Sequence, residues 1–320
     1  MTIYFITGGF GFLGQYIVKA IHEHNPEAEL RVLGRTRRRT LLGVEDLENV
    51  RWVQGDLTEP ETFETELQDV DTVIHNAALV SFRRSDADAI FQSNVVGTRN
   101  LAQAALDAGC KNFIFISSIS AIGFNQDGIT DESHLPDMEY KREHDMYGYS
   151  KRTSEIELLE LADKMRIITL NPSVVLGPGS DRIEAVYRMA RYLPILPMLS
   201  YVNSFVDVRD VARAVVLALT EGRSGERYIV TAHNMDMKTF AREALKAAGK
   251  KPLLIPVSGA GVRLLDAVLW IMDLLKLNPG IRRPSEMVVD KVLSWEKIRR
   301  EMGWEPQFTL EQSIADSAAH

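Results

Sequence analysis

Tyr147 and Lys151 have the types and the spacing of two residues that could do chemistry together. They stand four positions apart in the segment YGYSK, which opens a predicted helix, so both side chains lie on one face. A tyrosine has a pKa of about 10 and is a poor base at neutral pH, but a nearby ammonium group favours its phenolate form. The pair could therefore exchange a proton with a bound molecule, although this spacing is also common on ordinary helix surfaces.

Ser118 and Asn94 could take part in the same proton chemistry. Ser118 follows a predicted strand over 113–117, where its hydroxyl could hydrogen-bond a carbonyl or alcohol oxygen. For this serine the alternative is ordinary turn chemistry. Asn94 stands at the start of a predicted helix over 93–108, where it could hold a water that relays protons or could cap the helix.

A glycine-rich turn, TGGFGFLG over 7–14, lies between a predicted strand and a predicted helix. In such a turn Gly8 permits the tight bend, Gly11 lets the backbone approach a pyrophosphate, and Gly14 lets the helix pack closely on the strand. The free amides at the helix start then face the anion. The turn predicts a dinucleotide site; the alternative is a glycine turn without a ligand.

The turn after the second predicted strand is basic. An NAD enzyme usually has an acidic residue here, which binds the ribose hydroxyls. This sequence has Arg35 and Arg37 among four arginines, and no carboxylate before Glu45. Guanidinium groups match the oxygens of a 2′-phosphate, so we predict NADP, with NAD as the second choice. The alternative is a solvated basic loop.

Small and polar residues follow the third and fourth predicted strands. Asp56 could accept a hydrogen bond from the adenine amino group while Leu57 packs on the ring. Asp56 could equally cap a helix, because an acidic first turn follows it. After the next strand, Asn76, Ala77 and Ala78 would let a cofactor lie close to the backbone.

The elements that must position these residues alternate between strand and helix. Strands are predicted over 3–7, 30–33, 50–54, 72–75, 113–117 and 166–170, and helices over 13–24, 93–108 and 147–164. This alternation predicts an α/β fold, a doubly wound parallel sheet of the Rossmann type. Ligands bind at the carboxyl ends of the strands in such folds, which is where the residues above stand.

The second half of the chain has a different pattern. A loop is predicted over 171–179, strands over 202–208 and 227–230, a helix over 211–219, and mostly helix after Thr231. We therefore expect a dinucleotide-binding domain over 1–171, completed by about 205–231. A smaller, mostly helical substrate lobe would comprise 172–204 and 232–320.

Composition restricts the class of protein. The chain has 320 residues, 45% hydrophobic and 25% charged, which is typical of a soluble globular protein. With 37 Lys and Arg against 44 Asp and Glu, the net charge is −7, and we expect no nucleic-acid partner. The single cysteine, Cys110, excludes an internal disulfide and a cysteine-based zinc site. We expect no metal and, because residues 1–10 lack an export signal, a cytoplasmic location.

The most apolar long window, 255–277, contains four charged residues and is not predicted to span a membrane. We predict an amphipathic helix packed on the second lobe. The alternative is a helix that contacts a membrane surface or guards an apolar pocket.

Taken together, these motifs resemble those of the extended short-chain dehydrogenase/reductases, the NAD-dependent epimerase/dehydratase superfamily. The similar segments are TGGFGFLG (7–14), GDL (55–57), HNAA (75–78), NVVGT (94–98), ISS (116–118), YGYSK (147–151), NPSVVLGPG (171–179) and FVDVRDVARA (205–214). The serine pair, FVDVRDVARA and WEKIRREMGWEP (295–306) are most similar to the branch of 3β-hydroxysteroid dehydrogenases and dihydroflavonol reductases.

The resemblance implies a role for each site residue. Ser118 would polarise the reacting oxygen, Tyr147 would transfer the proton, Lys151 would lower the tyrosine pKa and bind the nicotinamide ribose, and Asn94 would support the relay. The implied cofactor-binding set is Gly8, Gly11, Phe12, Leu13, Gly14, Arg35, Arg37, Asp56, Leu57, Asn76, Ala77, Ala78, Asn94, Ile116, Tyr147, Lys151, Pro172 and Val175. A small-molecule substrate and a homodimer are also implied.

We therefore predict an NADP-dependent oxidoreductase that interconverts a ketone or aldehyde and an alcohol. An apolar stretch favours a steroid-, flavonoid- or lipid-like substrate, with Phe82, Ile122 and Phe124 completing the wall, although these residues could simply be core. The stretch contains Tyr187, Met189, Tyr192, Leu193, Ile195, Leu196, Pro197, Met198 and Leu199.

Two alternatives remain, a nucleotide-sugar epimerase or dehydratase and a non-catalytic NADP sensor. The nucleotide-sugar branch usually has arginine where Asn171 and Asn203 stand, although Arg182 or Arg188 could substitute. The complete set of Ser118, Tyr147 and Lys151 argues against a sensor.

Overall fold

A computed structural model describes residues 1–125, 128–180, 195–247, 249, 253–257, 259–275, 285 and 288–318. Its strands are β1 (Ile3–Thr7), β2 (Glu29–Gly34), β3 (Val50–Gln54), β4 (Thr72–His75), β5 (Asn112–Ile116), β6 (Arg166–Pro172), β7 (Val174–Leu176), β8 (Ile195–Leu199), β9 (Val202–Asp207), β10 (Glu226–Val230), β11 (His233–Asp236) and β12 (Leu253–Val257).

Some of the described helices pack on the two faces of the main sheet, and others pack on the smaller sheets. The helices are α1 (Phe12–His24), α2 (Ala87–Ile90), α3 (Gly97–Asp107), α4 (Met138–His144), α5 (Met146–Leu159), α6 (Val208–Thr220), α7 (Met237–Ala247), α8 (Ala260–Leu274), α9 (Glu296–Met302) and α10 (Leu310–Ala318). A π-helix, Phe91–Val96, leads into α3.

Seven strands form one parallel sheet in the order β3-β2-β1-β4-β5-β6-β10. The chain moves outward from β1 to β3, returns to β4 on the other side of β1, and continues to β10. This reversal beside β1 is the topological switch point, where a doubly wound sheet opens a crevice at its carboxyl edge. The predicted fold class is confirmed.

Neighbouring strand residues pack on opposite faces of this sheet. Phe5 belongs to a core that includes Leu101 of α3, whereas Ile6 belongs to a core that includes Val215 of α6. Because both faces are covered, the central strands β1, β4 and β5 are buried and mostly apolar, which is typical of a parallel sheet covered by helices. Each such buried side chain contributes roughly 1.5–3 kcal/mol.

The predicted helix boundaries need two corrections. The helix predicted over 147–164 ends at Leu159, because the chain then forms turns in which Leu161 and Lys164 donate backbone hydrogen bonds before β6 begins. The helix predicted over 93–108 is preceded by the π-helix and becomes regular only at Gly97.

The second half contains strands that the sequence pattern did not predict. β7 lies where a loop was expected, and it pairs in parallel with β9. β9 also pairs with β11, so it belongs to a separate three-stranded sheet, while β10 returns to the main sheet beside β6. β8 and β12 form a third, two-stranded sheet. The division into two domains stays a prediction.

Helix α8 exposes an apolar stripe. Leu264, Val268, Ile271 and Leu275 recur at helical spacing and are all exposed, whereas Leu269 is buried. The amphipathic helix predicted in 255–277 is therefore present over 260–274, but part of its apolar surface faces outward. None of the helices in the described part of the chain has the length and hydrophobicity of a membrane span. Contact with a membrane surface or an apolar ligand stays a prediction.

Candidate functional site

A cleft of about 1250 Å³ opens at the carboxyl edge of the main sheet. Its walls include residues that directly follow six strands of the main sheet, and it continues toward β7, β9 and α7. The lining residues that follow these strands are Gly8, Arg35, Gly55, Asn76, Ser117 and Ser173. The position agrees with the rule that ligands of doubly wound sheets bind where the winding reverses.

The glycine turn is shaped by backbone contacts. Gly8 has φ +68°, and a Cβ there would lie 2.9 Å from Ala77 Cα. A Cβ on Gly14 would lie 1.9 Å from the Gly8 oxygen, so this glycine is required for packing and does not line the cleft. Gly11, by contrast, lines the cleft.

The start of α1 fits an anionic ligand. Gly11 precedes the helix, and no side chain caps the first amides of α1. Phe12 and Leu13 line the cleft beside it. Uncapped N–H groups at a helix start attract phosphate oxygens, and a glycine-lined approach leaves room for them. The residues here fit the pyrophosphate of a dinucleotide.

Two arginines of the basic turn face the cleft, and Arg37 does not. Arg35 and Arg38 line it, whereas Arg37 donates to the Glu45 backbone oxygen and lies 3.3 Å from an Asp46 carboxylate oxygen. Arg38 was not in the predicted set, because sequence spacing gives no sign of which neighbouring side chain turns inward.

Asp56 forms a turn rather than a helix cap. Its Oδ1 accepts hydrogen bonds from the Thr58 amide at 2.9 Å and the Thr58 hydroxyl at 2.8 Å. The next helical turn begins at Pro60 and has Glu59 as its preceding residue, so the predicted cap is wrong. Oδ2 lies 3.9 Å from Arg35, and both Asp56 and Leu57 line the cleft.

The residues after β4 are tied to the glycine turn. Asn76 Nδ2 donates to the Gly8 oxygen at 3.2 Å, and the Ala77 amide donates to Thr7 Oγ1 at 3.0 Å. Asn76, Ala77 and Ala78 all line the cleft. The first and fourth strands therefore present one continuous surface.

His75 is fully buried and links Thr7 to Thr98 by hydrogen bonds. Thr98 Oγ1 donates to the Asn94 oxygen at 2.5 Å, so it accepts from His75 Nε2 at 2.8 Å. His75 Nδ1 then accepts from Thr7 Oγ1 at 2.7 Å. Burial, helped by the charge of Lys151, lowers the pKa of His75 to about 3. The imidazole is therefore a neutral link in a buried chain.

Ser118, Tyr147 and Lys151 line the same cleft as the glycine turn. Lys151 is buried, and its Nζ donates to the Ile116 oxygen at 2.7 Å. Burial lowers the pKa of Lys151 to about 7, although Glu155 acts in the opposite direction. Ser118 Oγ accepts from the Ser120 amide at 3.1 Å.

The start of α5 positions Tyr147 at the cleft. Asp145 caps the helix by accepting from the Gly148 amide at 3.0 Å, and it pairs with Lys141 at 3.0 Å. A Cβ at Gly148 would lie 2.6 Å from the Ser120 oxygen, so this helix start approaches the Ser118 segment closely. Lys141 and Asp145 also line the cleft, and the sequence analysis missed both.

Asn94 is a buried anchor that does not line the cleft. Its Oδ1 accepts from the Leu79 amide at 2.7 Å, while Nδ2 donates to the Leu79 oxygen and to Ser150 Oγ, each at 3.0 Å. Asn94 stands inside the π-helix, so the predicted helix cap is wrong. A role in proton relay stays a prediction.

Only some residues of the predicted substrate wall line the cleft. Phe82 and Phe124 line the cleft, and Phe82 contacts Tyr147 edge-on at 6.3 Å between ring centroids. Ile122 is instead buried in a core cluster, and Leu196 is also buried away from the cleft. Tyr187, Met189, Tyr192, Leu193, Arg182 and Arg188 lie outside the described residues, and the side chains of Ile195 and Pro197 are not described.

Six further lining residues were not predicted to belong to the site. They are Tyr201, Asn203, Phe205, Met237, Phe240 and Lys291. Pro172 and Val175, which were predicted, line the cleft between them and Ser118. No signal near these residues in the sequence indicates a shared pocket, because β9, α7 and the segment at 291 meet only in the fold.

Cys110 does not line the cleft, and the described part of the chain has no cluster of metal ligands. Cys110 is buried, and burial raises the pKa of its thiol to about 11. Within the described ranges, no group of three or more histidine, cysteine, aspartate or glutamate side chains could hold a metal ion.

The chain is similar to a known protein family and to several named proteins. Residues 4–231 match the model of the NAD dependent epimerase/dehydratase family. A Synechocystis protein provisionally named dihydroflavonol 4-reductase is 30% identical, over 98% of this chain and 93% of the relative. A 3-beta-hydroxysteroid dehydrogenase of Mycolicibacterium neoaurum is 27% identical, over 97% and 89%. The chain is also 25% identical to UDP-glucose 4-epimerase of Vibrio cholerae, over 98% and 93%.

Solved structures share the fold. The UDP-glucose 4-epimerase of Thermus thermophilus, solved as a complex with NAD, superposes with a TM-score of 0.76 and 22% identity. That match covers 100% of this chain and 98% of the other.

Proposed function

The chain belongs to the NAD dependent epimerase/dehydratase family, and we propose that it is an NADP-dependent oxidoreductase within it. It would interconvert a ketone or aldehyde and an alcohol on an apolar small molecule. The observation that carries the proposal is that the glycine turn and Ser118, Tyr147 and Lys151 line one cleft. A phosphate cradle and an acid/base pair in one crevice are what hydride transfer to a carbonyl requires.

A bound nicotinamide cofactor would supply or accept the hydride. The protein's own part is to hold and protonate the substrate oxygen. Ser118 and Tyr147 would donate hydrogen bonds to that oxygen as negative charge develops on it, and Tyr147 would deliver the proton. Lys151 would stabilise the phenolate that remains, because its ammonium group is held in the same cleft wall.

The choice of NADP rests on the basic turn. Arg35 and Arg38 line the cleft beyond β2, where a 2′-phosphate would lie, and guanidinium groups match phosphate oxygens. The lining carboxylate beside this turn, Asp56, lies 3.9 Å from Arg35 through Oδ2, and its Oδ1 is bonded to Thr58.

An apolar substrate is supported by the apolar part of the cleft wall. Phe82, Phe124, Phe205, Met237 and Phe240 line it. Aromatic and thioether side chains favour a flat or long apolar body over a phosphorylated sugar.

A nucleotide-sugar epimerase is the second candidate, because a relative of that name matches nearly the whole chain. Asn171 and Asn203 stand where we expect arginines in that branch. Asn171 is fully buried and donates to Ser118 and Glu155, so it does not reach the cleft surface.

The test is NADPH consumption with a panel of steroid ketones, flavonoid-type ketones and long-chain aldehydes. We expect turnover with at least one class, and Tyr147→Phe should lower kcat by about 10²- to 10⁴-fold because the proton donor is lost. The Kd for NADPH should stay within twofold.

Tyr140→Phe is the matched control, since Tyr140 is an exposed tyrosine of α4. Full activity in Tyr147→Phe would contradict the assignment. Inversion of a nucleotide sugar without net consumption of NADPH would favour the epimerase instead.

A further inference from the structure

A buried carboxylate, Glu155, lies next to the site and has no part in the chemistry proposed above. On α5, Tyr147, Lys151 and Glu155 follow one another at intervals of four residues, so the three side chains lie along one face. The Glu155 side chain is only 3% exposed. A buried carboxylate is costly unless hydrogen bonds and opposite charges compensate it, so its partners indicate its purpose.

One oxygen of Glu155 holds the residues at the end of β5. Oε1 accepts from Ser117 Oγ at 2.5 Å and from Asn171 Nδ2 at 2.6 Å. Asn171 Nδ2 also donates to the Ser118 backbone oxygen at 3.0 Å. Asn171 Oδ1 is buried and finds no partner among the residues described, so this amide is held through its donor atom alone.

The end of β5 depends on these bonds. The Ser117 amide donates to the Leu170 oxygen at 2.8 Å, which is the last backbone bond of this strand to β6. Beyond that point the chain leaves the sheet. Ser118 caps the next turn, where its Oγ accepts from the Ser120 amide and its backbone oxygen accepts from the Ala121 amide, and side chains of α5 and β6 hold the same segment. Lys151 fixes the oxygen of Ile116, Glu155 fixes the hydroxyl of Ser117, and Asn171 fixes the oxygen of Ser118.

The other oxygen of Glu155 faces away from the cleft. Oε2 accepts from Arg152 Nη1 at 2.8 Å and from Arg227 Nη1 at 3.4 Å, so two guanidinium groups balance the buried charge. All three residues line a second cavity of about 570 Å³, which shares no lining residue with the main cleft. Glu155 therefore links the two spaces, because Oε1 bonds Ser117 of the main cleft and Oε2 bonds two arginines of the second cavity.

We propose that Glu155 is a positioning residue, which sets the place of Ser118 through Ser117 and Asn171. The inference rests on the proposed function, in which the Ser118 hydroxyl binds the reacting oxygen. A displacement of about 1 Å in such a group can cost on the order of 10²-fold in rate. Glu155 itself does not line the cleft, so its removal should leave cofactor contacts in place.

The test compares Glu155→Ala with the unaltered full-length enzyme in NADPH-dependent reduction of the best carbonyl substrate. We expect kcat to fall by about 10- to 100-fold, while KM and the Kd for NADPH stay within about twofold. The substitution opens a void that joins the second cavity. Added formate should therefore enter as a small carboxylate, rebind Ser117 and Asn171, and restore kcat at least fivefold in a saturable manner.

Three controls distinguish rescue at the Glu155 site from a general effect of formate or of ionic strength on the enzyme. Formate should not raise kcat of the unaltered enzyme or of Tyr147→Phe, and sodium chloride at equal ionic strength should not rescue Glu155→Ala. Should Glu155→Ala fail to fold, Ser117→Ala removes one partner and leaves the carboxylate bonded to Asn171. It should lower kcat by a smaller factor that formate does not restore.

Failure of this inference and failure of the proposed function give different results. A folded Glu155→Ala with kcat within twofold of the unaltered enzyme, or with a loss that formate does not restore, overturns the inference alone. Unchanged kcat in Ser117→Ala overturns it as well. An unaltered enzyme that reduces none of the carbonyl panel overturns the proposed function instead.

Discussion

Arg37 and Arg38 are neighbours in the chain, but their guanidinium groups face different surroundings. Arg37 is held on the far side of the turn by the Glu45 oxygen and Asp46, and Arg38 faces the cleft. A charged side chain contributes to binding only where it reaches the ligand, so we expect Arg37 and Arg38 to differ in their effect on cofactor binding. The structure therefore provides a matched pair of arginines for testing the cofactor.

We expect Arg38→Ala to raise the Kd for NADP by about 10- to 100-fold, because a charge-assisted hydrogen bond of about 1.5–3 kcal/mol is lost. The Kd for NAD, which has no 2′-phosphate, should change by less than twofold. Titration of both cofactors by fluorescence measures this. Arg37→Ala is the control and should leave both Kd values unchanged; equal weakening of NADP and NAD by Arg38→Ala would contradict the NADP assignment.

At the scale of elements, the cleft depends on how strand ends are joined beneath it. The chain of hydrogen bonds from Ala77 through Thr7, His75 and Thr98 to Asn94 connects β1, β4, α3 and the π-helix. Asn94 continues it to α5 through Ser150. None of these bonds is visible in a local sequence pattern, yet together they fix the loops that carry the site.

The neutral state of His75 predicts a pH dependence of stability. Its pKa is about 3 in the fold against an ordinary 6.5, so between these values the unfolded chain binds a proton that the folded chain excludes. Stability should therefore fall as pH drops below about 6.5, by up to ~1.4 kcal/mol per pH unit from this group. Urea unfolding at pH 6.5 and 5.0 measures the slope.

His75→Gln should have a shallower slope over the same interval, whatever its absolute stability. His24→Gln, which changes an exposed histidine of α1, should retain the original slope. An unchanged slope in His75→Gln would show that the buried histidine takes up its proton without unfolding.

At the scale of the whole molecule, the C-terminal segment over 304–308 is bonded to α6 and packs in the same core. Trp304 is fully buried and donates to the Asp210 backbone oxygen at 2.9 Å. The Asp210 carboxylate accepts from the backbone amides of Gln307 at 3.0 Å and Phe308 at 3.2 Å. A single residue of α6 thus fastens a segment almost one hundred residues later in the chain. The homodimer and the cytoplasmic location stay predictions.

We expect Asp210→Ala to lower the free energy of unfolding by about 3–5 kcal/mol, because it leaves two backbone amides without an acceptor and removes the carboxylate that pairs with Arg213. Tryptophan fluorescence in urea measures it, since Trp304 lies at the fastened segment. Asp46→Ala, at a 73% exposed side chain, should change stability by less than about 0.5 kcal/mol. A similar small change in Asp210→Ala would contradict the role of Asp210 as the fastening point.

Local patterns in the sequence were enough to predict the main sheet and to propose the residues of its site. Apolar runs bounded by glycine or polar residues located all seven strands of the main sheet to within two residues of their ends, because strands covered on both faces are mostly apolar. The glycine turn and the YGYSK helix were equally readable, since turn geometry and helix spacing are local properties.

The tertiary structure alone decided which residues meet. Glu155 bonds Ser117 across 38 positions, Asn94 bonds Ser150 across 56, and Lys291 lines a cleft whose glycine turn is at the other end of the chain. It also decided that Arg38 rather than Arg37 faces inward, and that β7 pairs with β9 instead of forming a loop. Local patterns report burial and backbone preference, whereas contacts between distant residues depend on how the packed elements close around one another.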